Sequence, residues 1–270
     1  MLRLITIMNS KNLVLALLVL FLFACRTTQP DQPKKEASPQ AVDSTAKALD
    51  IEVLEMPFSS KWDSNKYKKY NSDDFRKFSP FNDKIDFKKI DYPLLHAAVF
   101  FETNKRRVEM DLPDFEYSQA LEQVSVEHSR DMVRLDFSSH NSPVPGRETP
   151  KKRMEAYGIT NAYTAENINI GYGVAYEGGR PVFTPDQNKG GYFSYDLNGV
   201  PLPAQTYLSL ARSVVDSWMN SPGHRRNILN TNLKYLGVGS AYFKDSKFYN
   251  MDKFKFTQSF SSAPGLAKQK

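Results

Sequence analysis

The chain carries one cysteine, Cys25, in 270 residues. That excludes an intramolecular disulfide framework and any cysteine-based zinc finger. Charge of one sign is scarce as well: 36 Lys and Arg stand against 30 Asp and Glu, a net +6. The basic runs, Lys66–Tyr67–Lys68–Lys69 and Lys151–Lys152–Arg153, are short and far apart. Nucleic-acid binders gather such residues on one face. No nucleic-acid partner is therefore expected, and both runs read as solvated surface. There is no His-Glu-x-x-His, no Gly-x-Ser-x-Gly and no phosphate-cradling glycine loop. The one unbroken apolar run of note, Leu13 to Ala24, is too short to span a bilayer, which takes roughly 20 residues.

That run follows a stretch holding Arg3 and Lys11 and no acid. Basic, then apolar, then a small residue is the pattern of a secretory signal peptide. Cys25 comes immediately after. Leu22–Phe23–Ala24–Cys25 resembles a bacterial lipobox, although Phe23 replaces the usual small residue. The resemblance implies that residues 1–24 are removed and that Cys25 is acylated. The mature chain would then be extracytoplasmic and anchored in the cell envelope by membrane lipid, since two or more acyl chains hold stably. The cleavage would take two positive charges with it and leave +4.

Residues 25–50 are rich in Pro, Gln, Ser, Thr and charge. So little apolar surface cannot offset the entropy of ordering, and the segment reads as a tether. Residues 51–91 are aromatic and charged. Trp62, Tyr67, Tyr70, Phe75, Phe78 and Phe81 give this extension something to pack with, and it is expected to wrap on the main domain. Helical spacing begins at Tyr92 and ends before Asp111–Leu112–Pro113. A second helix is expected from Tyr117 to Leu135, where Leu121, Val124, His128, Met132 and Leu135 fall on one face. A third is expected from about Ala204 to Met219. Ser221–Pro222–Gly223–His224 then starts a short helix, with Ser221 as N-cap and Pro222 at the first position. Leu236–Phe243 and Phe254–Phe260 read as strands around a polar turn. In the Gly-, Tyr- and Pro-rich segment from Asn167 to Gln205, Asn198–Gly199 signals a hairpin. Helices alternating with tightly connected strands favour an α+β fold.

Four histidines are few enough to weigh singly. His96 lies inside an apolar helix and reads as a packed, hydrogen-bonded residue. His128 on the second helix's apolar stripe reads the same way, satisfied through one ring nitrogen. His140 stands just past a helix end, in a loop able to face a cleft. His224 stands at a helix start, where the dipole favours a neutral imidazole. Glu166, in an apolar Tyr-rich stretch, needs a partner if buried. Spacing alone does not join these residues.

Six ordered blocks do. Glu127–Met132, Phe137–His140, Ala165–Ile168, Trp218–Leu229, Leu236–Gly239 and Phe256–Phe260 resemble the CAP superfamily, the group of cysteine-rich secretory, antigen 5 and pathogenesis-related-1 proteins, in its bacterial branch. The resemblance covers residues 92–262, with an insertion at about 171–203 and a tail at 263–270. It implies a three-layer α-β-α sandwich with a small, mainly antiparallel central sheet. It also implies a cleft of His140, Glu166 and His224, with Ser221 where a second glutamate commonly stands. Those three residues are the expected ligands of a divalent cation such as zinc, the donor types of an open site. The expected function is non-catalytic binding of a small apolar or envelope-derived ligand. The alternatives are a metal-dependent hydrolase using His140, Glu166 and His224, and a surface adhesin acting through the insertion and the aromatic extension.

Overall fold

The computed structural model describes residues 56–266. The signal segment 1–24, Cys25, the tether 25–50, residues 51–55 of the extension and residues 267–270 of the tail lie outside the described residues. The helices are α1 (Lys66–Lys69), α2 (Tyr92–Val108), α3 (Gln119–Arg134), α4 (Pro150–Glu155), α5 (Tyr207–Asn220) and α6 (Pro222–Ile228). The strands are β1 (Glu116–Tyr117), β2 (Thr164–Tyr172), β3 (Tyr235–Asp245) and β4 (Met251–Ser261).

Local chemistry fixes where the long helices begin. Asp91 accepts the Leu94 N–H ahead of α2, and Ser118 accepts the Leu121 N–H ahead of α3. Thr206 and Ser209 form a reciprocal capping box at α5. That box starts α5 at Tyr207, three residues later than the spacing suggested. Leu135 is 39% exposed beyond the end of α3, and Tyr117 belongs to β1. The expected second helix is therefore shorter at both ends, and its apolar stripe loses only Leu135. Ser221 occupies the N-cap position of α6, but its side chain makes no cap hydrogen bond.

The sheet runs in the order β1-β3-β4-β2. β1 is parallel to β3, and the other two pairings are antiparallel. Helices α2 and α5 cover one face and α3 covers the other, giving the three-layer sandwich that the resemblance implied. The apolar core lies mainly between the sheet and α2 with α5, where Leu95, Phe101, Leu210 and Trp218 meet Leu236, Val238, Phe256 and Phe260. The opposite interface is thinner and polar. Ser125 Oγ reaches Gly237 O and Ser259 Oγ at 3.1 and 2.9 Å, and Ser129 Oγ reaches Gly239 O and Thr257 Oγ1 at 3.2 and 2.9 Å. Such a close approach needs glycine in β3.

Side chains close the sheet edges that no strand covers. Beyond β1, the outer N–H groups of Ser240 and Tyr242 donate to His96 Nε2 (3.0 Å) and Tyr92 Oη (3.3 Å), one turn apart on α2. Accepting there forces His96 Nδ1–H toward Glu122 at 2.9 Å, so His96 is the packed, bonded residue expected. At the far edge, the β2 carbonyls of Glu166 and Ile168 accept from Asn227 Nδ2 (3.3 Å) and Trp218 Nε1 (3.0 Å). Blocked edges cannot recruit another strand.

The described part of the extension packs on α2. The Trp62 ring is buried among Tyr67, Phe78, Phe81 and Phe101 at centroid distances of 5.3 to 5.7 Å. Tyr67, one of the aromatics expected to pack although it interrupts a basic run, stacks on Tyr117 at 3.8 Å. The insertion carries a turn at Asn198 (φ 57°), with the Gly199 N–H on Asp196 O. The expected hairpin strands do not form there: only the single bridges Phe183–Ser194 and Val174–Ala204 appear. The insertion's ends are stapled together instead, by Ala175 N–H to Pro203 O and Gln205 N–H to Gly173 O.

Candidate functional site

Successive residues of a strand point to opposite faces. On β2 this sends Glu166 toward the α3 layer and Asn167 toward the α5–α6 layer. Each takes hold of one histidine segment. Glu166 Oε1 lies 2.9 Å from His140 Nδ1. Asn167 Nδ2 donates to the His224 carbonyl at 3.2 Å, and Asn227, one turn after His224 on α6, donates to Asn167 Oδ1 at 2.9 Å. A further amide link, Asn167 to Gln258 and Gln258 to Thr103, ties this pair through the sheet to α2. His140 and His224 thus arrive from different layers at the outer edge of β2.

The Glu166 side chain is 1% exposed and the His140 side chain 47%. Burial pushes the Glu166 carboxyl up, but the His140 hydrogen bond and the Arg153 charge outweigh it, and the group sits below the usual carboxylate range. An ionised carboxylate only accepts, so His140 donates through Nδ1–H and its Nε2 is turned away from the carboxylate. Glu166 Oε2 is taken by Arg153 Nη2 at 2.6 Å. Burial lowers His224, and the nearby His140 lowers it further.

Arg153 corrects the reading of Lys151–Lys152–Arg153 as solvated surface. Its guanidinium is buried and also donates to Arg147 O (2.9 Å) and His140 O (3.0 Å). Thr149 and Pro150 start α4, in which Arg153 and Met154 are buried, with Tyr157 buried just past its end. That spacing was the signal in the sequence, hidden within a basic run. His128 is buried as expected. Its Nε2–H donates to Ser139 O at 3.0 Å, and burial pushes the imidazole down to about 4. It is neutral, and its buried Nδ1 has no hydrogen-bond partner. Ser221 stands at the α5–α6 joint, three residues before His224.

Of the expected residues, the structure pairs His140 with Glu166, while His224 is tied to the same strand through its backbone carbonyl. The offered lone pairs are those of the imidazoles, because both Glu166 oxygens are already paired. Among the described residues, no group of three or more His, Cys, Asp or Glu is arranged to hold a metal ion. What the geometry provides is two imidazoles beside solvent, one of them oriented by a buried carboxylate.

Known proteins resemble part of this chain. The uncharacterized protein YkwD of Bacillus subtilis is 28% identical over 137 residues, 51% of this chain and 38% of its own. The uncharacterized membrane protein YlbC of the same organism is 28% identical over 153 residues, 57% of this chain and 32% of its own. The chain therefore spans about a third of the length of the curated relatives it matches. Among solved structures, an extracellular protein containing an SCP domain from Bacillus anthracis is 24% identical, covering 63% of this chain and 41% of that one, with a TM-score of 0.41. An outer surface protein from Borrelia burgdorferi is 20% identical, covering 67% and 97%, with a TM-score of 0.40. Residues 100–260, from the middle of α2 to the end of β4, match the family pattern, and the chain belongs to the CAP, or cysteine-rich secretory protein, family.

Proposed function

We propose that this chain is an envelope-anchored binding module. Its cleft takes a small apolar or envelope-derived ligand, or a divalent cation such as zinc, without catalysing a reaction. The observation that carries the reading is the His140 Nδ1–Glu166 hydrogen bond. A carboxylate behind an imidazole fixes its tautomer, aims the other nitrogen outward and raises its basicity, which is how ligating histidines are commonly supported. The donors that fit a cation are His140 Nε2 and the His224 ring. Glu166 supports from behind, and water or ligand would complete the coordination. The same pairing favours binding over hydrolysis: Glu166 is buried and held by His140 and Arg153 rather than standing open as a base.

Anchoring rests on the sequence: the short apolar run and the only cysteine directly after it. Among the described residues no helix is long and apolar enough to cross a membrane. Labelled palmitate should enter the wild-type chain and not Cys25→Ala. Equal membrane attachment of both would remove the anchor from the proposal.

Zinc titration of the full chain in detergent, followed by calorimetry, tests the cleft. His140→Ala and His224→Ala should each lose more affinity than the roughly 10- to 100-fold typical of outer-shell changes. Affinity should also fall as protons compete for imidazole in acid. The lowered His224 places its share of that loss at a more acid pH than an ordinary histidine would. Equal zinc affinity in the wild type and both variants would refute the cation reading.

A further inference from the structure

The loop that carries His140 is held by three buried donors, each from a different element. Lys255 Nζ, on β4, donates to Phe137 O at 2.6 Å and to Met132 O at 2.8 Å. His128 Nε2–H, on α3, donates to Ser139 O at 3.0 Å. Arg153 Nη2, on α4, donates to His140 O at 3.0 Å. All three side chains belong to buried residues. Surface loops ordinarily leave their carbonyls to water. Burying an ammonium and a guanidinium is costly: Arg153 Nε finds no hydrogen-bond partner there, and the Lys255 ammonium is held below the usual lysine range by that burial. So much buried donor capacity spent on one short loop fixes where the loop stands.

We propose that Lys255, acting with His128 and Arg153, is a positioning residue that presents the His140 imidazole at a fixed place and angle. The inference rests on the reading of His140 as a binding residue. Arg153 ties the loop directly to Glu166, whereas Lys255 holds it only at its start, through the Phe137 carbonyl. Its influence on the imidazole therefore passes through the loop backbone. A purely structural role, capping the last turn of α3 through Met132 O, would alter stability and leave the imidazole as it is.

The test uses the full chain in detergent, 15N-labelled and free of metal. Imidazole nitrogen–proton correlation spectra report the His140 tautomer, and zinc titration reports affinity. In the wild type, the Nδ1–H tautomer should dominate. Lys255→Met should mix the two tautomers and weaken zinc binding about 10- to 100-fold, the loss typical of outer-shell changes. Lys255→Arg, which retains a charged donor, should restore the wild-type tautomer. A folded Lys255→Met chain with the wild-type tautomer and affinity would overturn the proposal. If that variant does not fold, wild-type relaxation decides. Backbone order parameters of about 0.85 at residues 137–140 support the clamp, and values below about 0.6 overturn it. Absence of zinc binding in the wild type would sink the cation reading, while the tautomer would still judge the clamp.

Discussion

Adding one methyl group to β3 should unseat α3 from the sheet. A Cβ built on Gly239 would stand 2.2 Å from both Ser125 C and Val126 N and 2.5 Å from Ser125 O. These are backbone atoms of a helix, so no side-chain rotation relieves the overlap. Ordinary contact starts near 3.4 Å, so α3 must retreat by at least 1.2 Å at that point. Retreat stretches the bonds of Ser125 and Ser129 to β3 and β4, and losing one bond of each serine costs about 2 kcal/mol net. Overpacking alone costs about 1–3 kcal/mol. Gly239→Ala should therefore lose about 3–5 kcal/mol, a large share of the roughly 5–15 kcal/mol that holds a domain together. Gly223→Ala supplies the control. Its Cβ would meet only Arg226 Nη2, at 3.9 Å, and Gly223 lies within α6. Alanine there should stabilise by about 0.4–1 kcal/mol, mainly by restricting the unfolded chain. Urea unfolding at neutral pH, followed by circular dichroism, measures both. A Gly239→Ala chain within about 0.5 kcal/mol of wild type would refute the close-approach account of this interface.

Acid should weaken the fold through His128. Its folded value, about 4, lies below the ordinary 6.5, so the unfolded chain binds a proton that the native state refuses. Stability is whole above pH 6.5, falls between 6.5 and 4, and is lower by about 3 kcal/mol beneath that. Urea midpoints across this range should show a slope that shrinks in His128→Leu, and an unchanged slope would contradict the burial argument. Trp62→Ala should cost about 3–5 kcal/mol, as for other buried large aromatics. A change below about 1 kcal/mol on thermal unfolding would mean the extension adds little to the fold. Arg153→Met leaves Glu166 buried without its cation and should cost about 3–5 kcal/mol. Adding Glu166→Gln should recover part of that loss in a double-mutant cycle, and strict additivity would deny the coupling.

What could be read beforehand followed periodicity and local chemistry. Helices α2, α3 and α5 announced themselves by apolar spacing, and β3 and β4 by apolar runs around a polar turn. β2 did not, because it lies at a sheet edge with both faces in use. Glu166, Asn167 and Asn169 are polar and bonded to different layers, so no hydrophobic alternation marks the strand. The hairpin signal at Asn198–Gly199 was sound as turn chemistry and misleading as strand chemistry. A turn is decided by its own residues, whereas strands need a neighbour, and the sheet's outer edges are already occupied by His96, Tyr92, Trp218 and Asn227. The site divides in the same way. His140, Glu166 and His224 were legible because they sit in specific blocks. Arg153 was not, because a guanidinium is intelligible in a core only beside its counter-charge, and Glu166 lies thirteen residues further along the chain. Lys255 is hidden for the same reason: it sits between Phe254 and Phe256 on a strand and meets its acceptors only after α3 has docked. The groups proposed to bind are thus found in local sequence, while those that hold them in place exist as partners only in the folded chain.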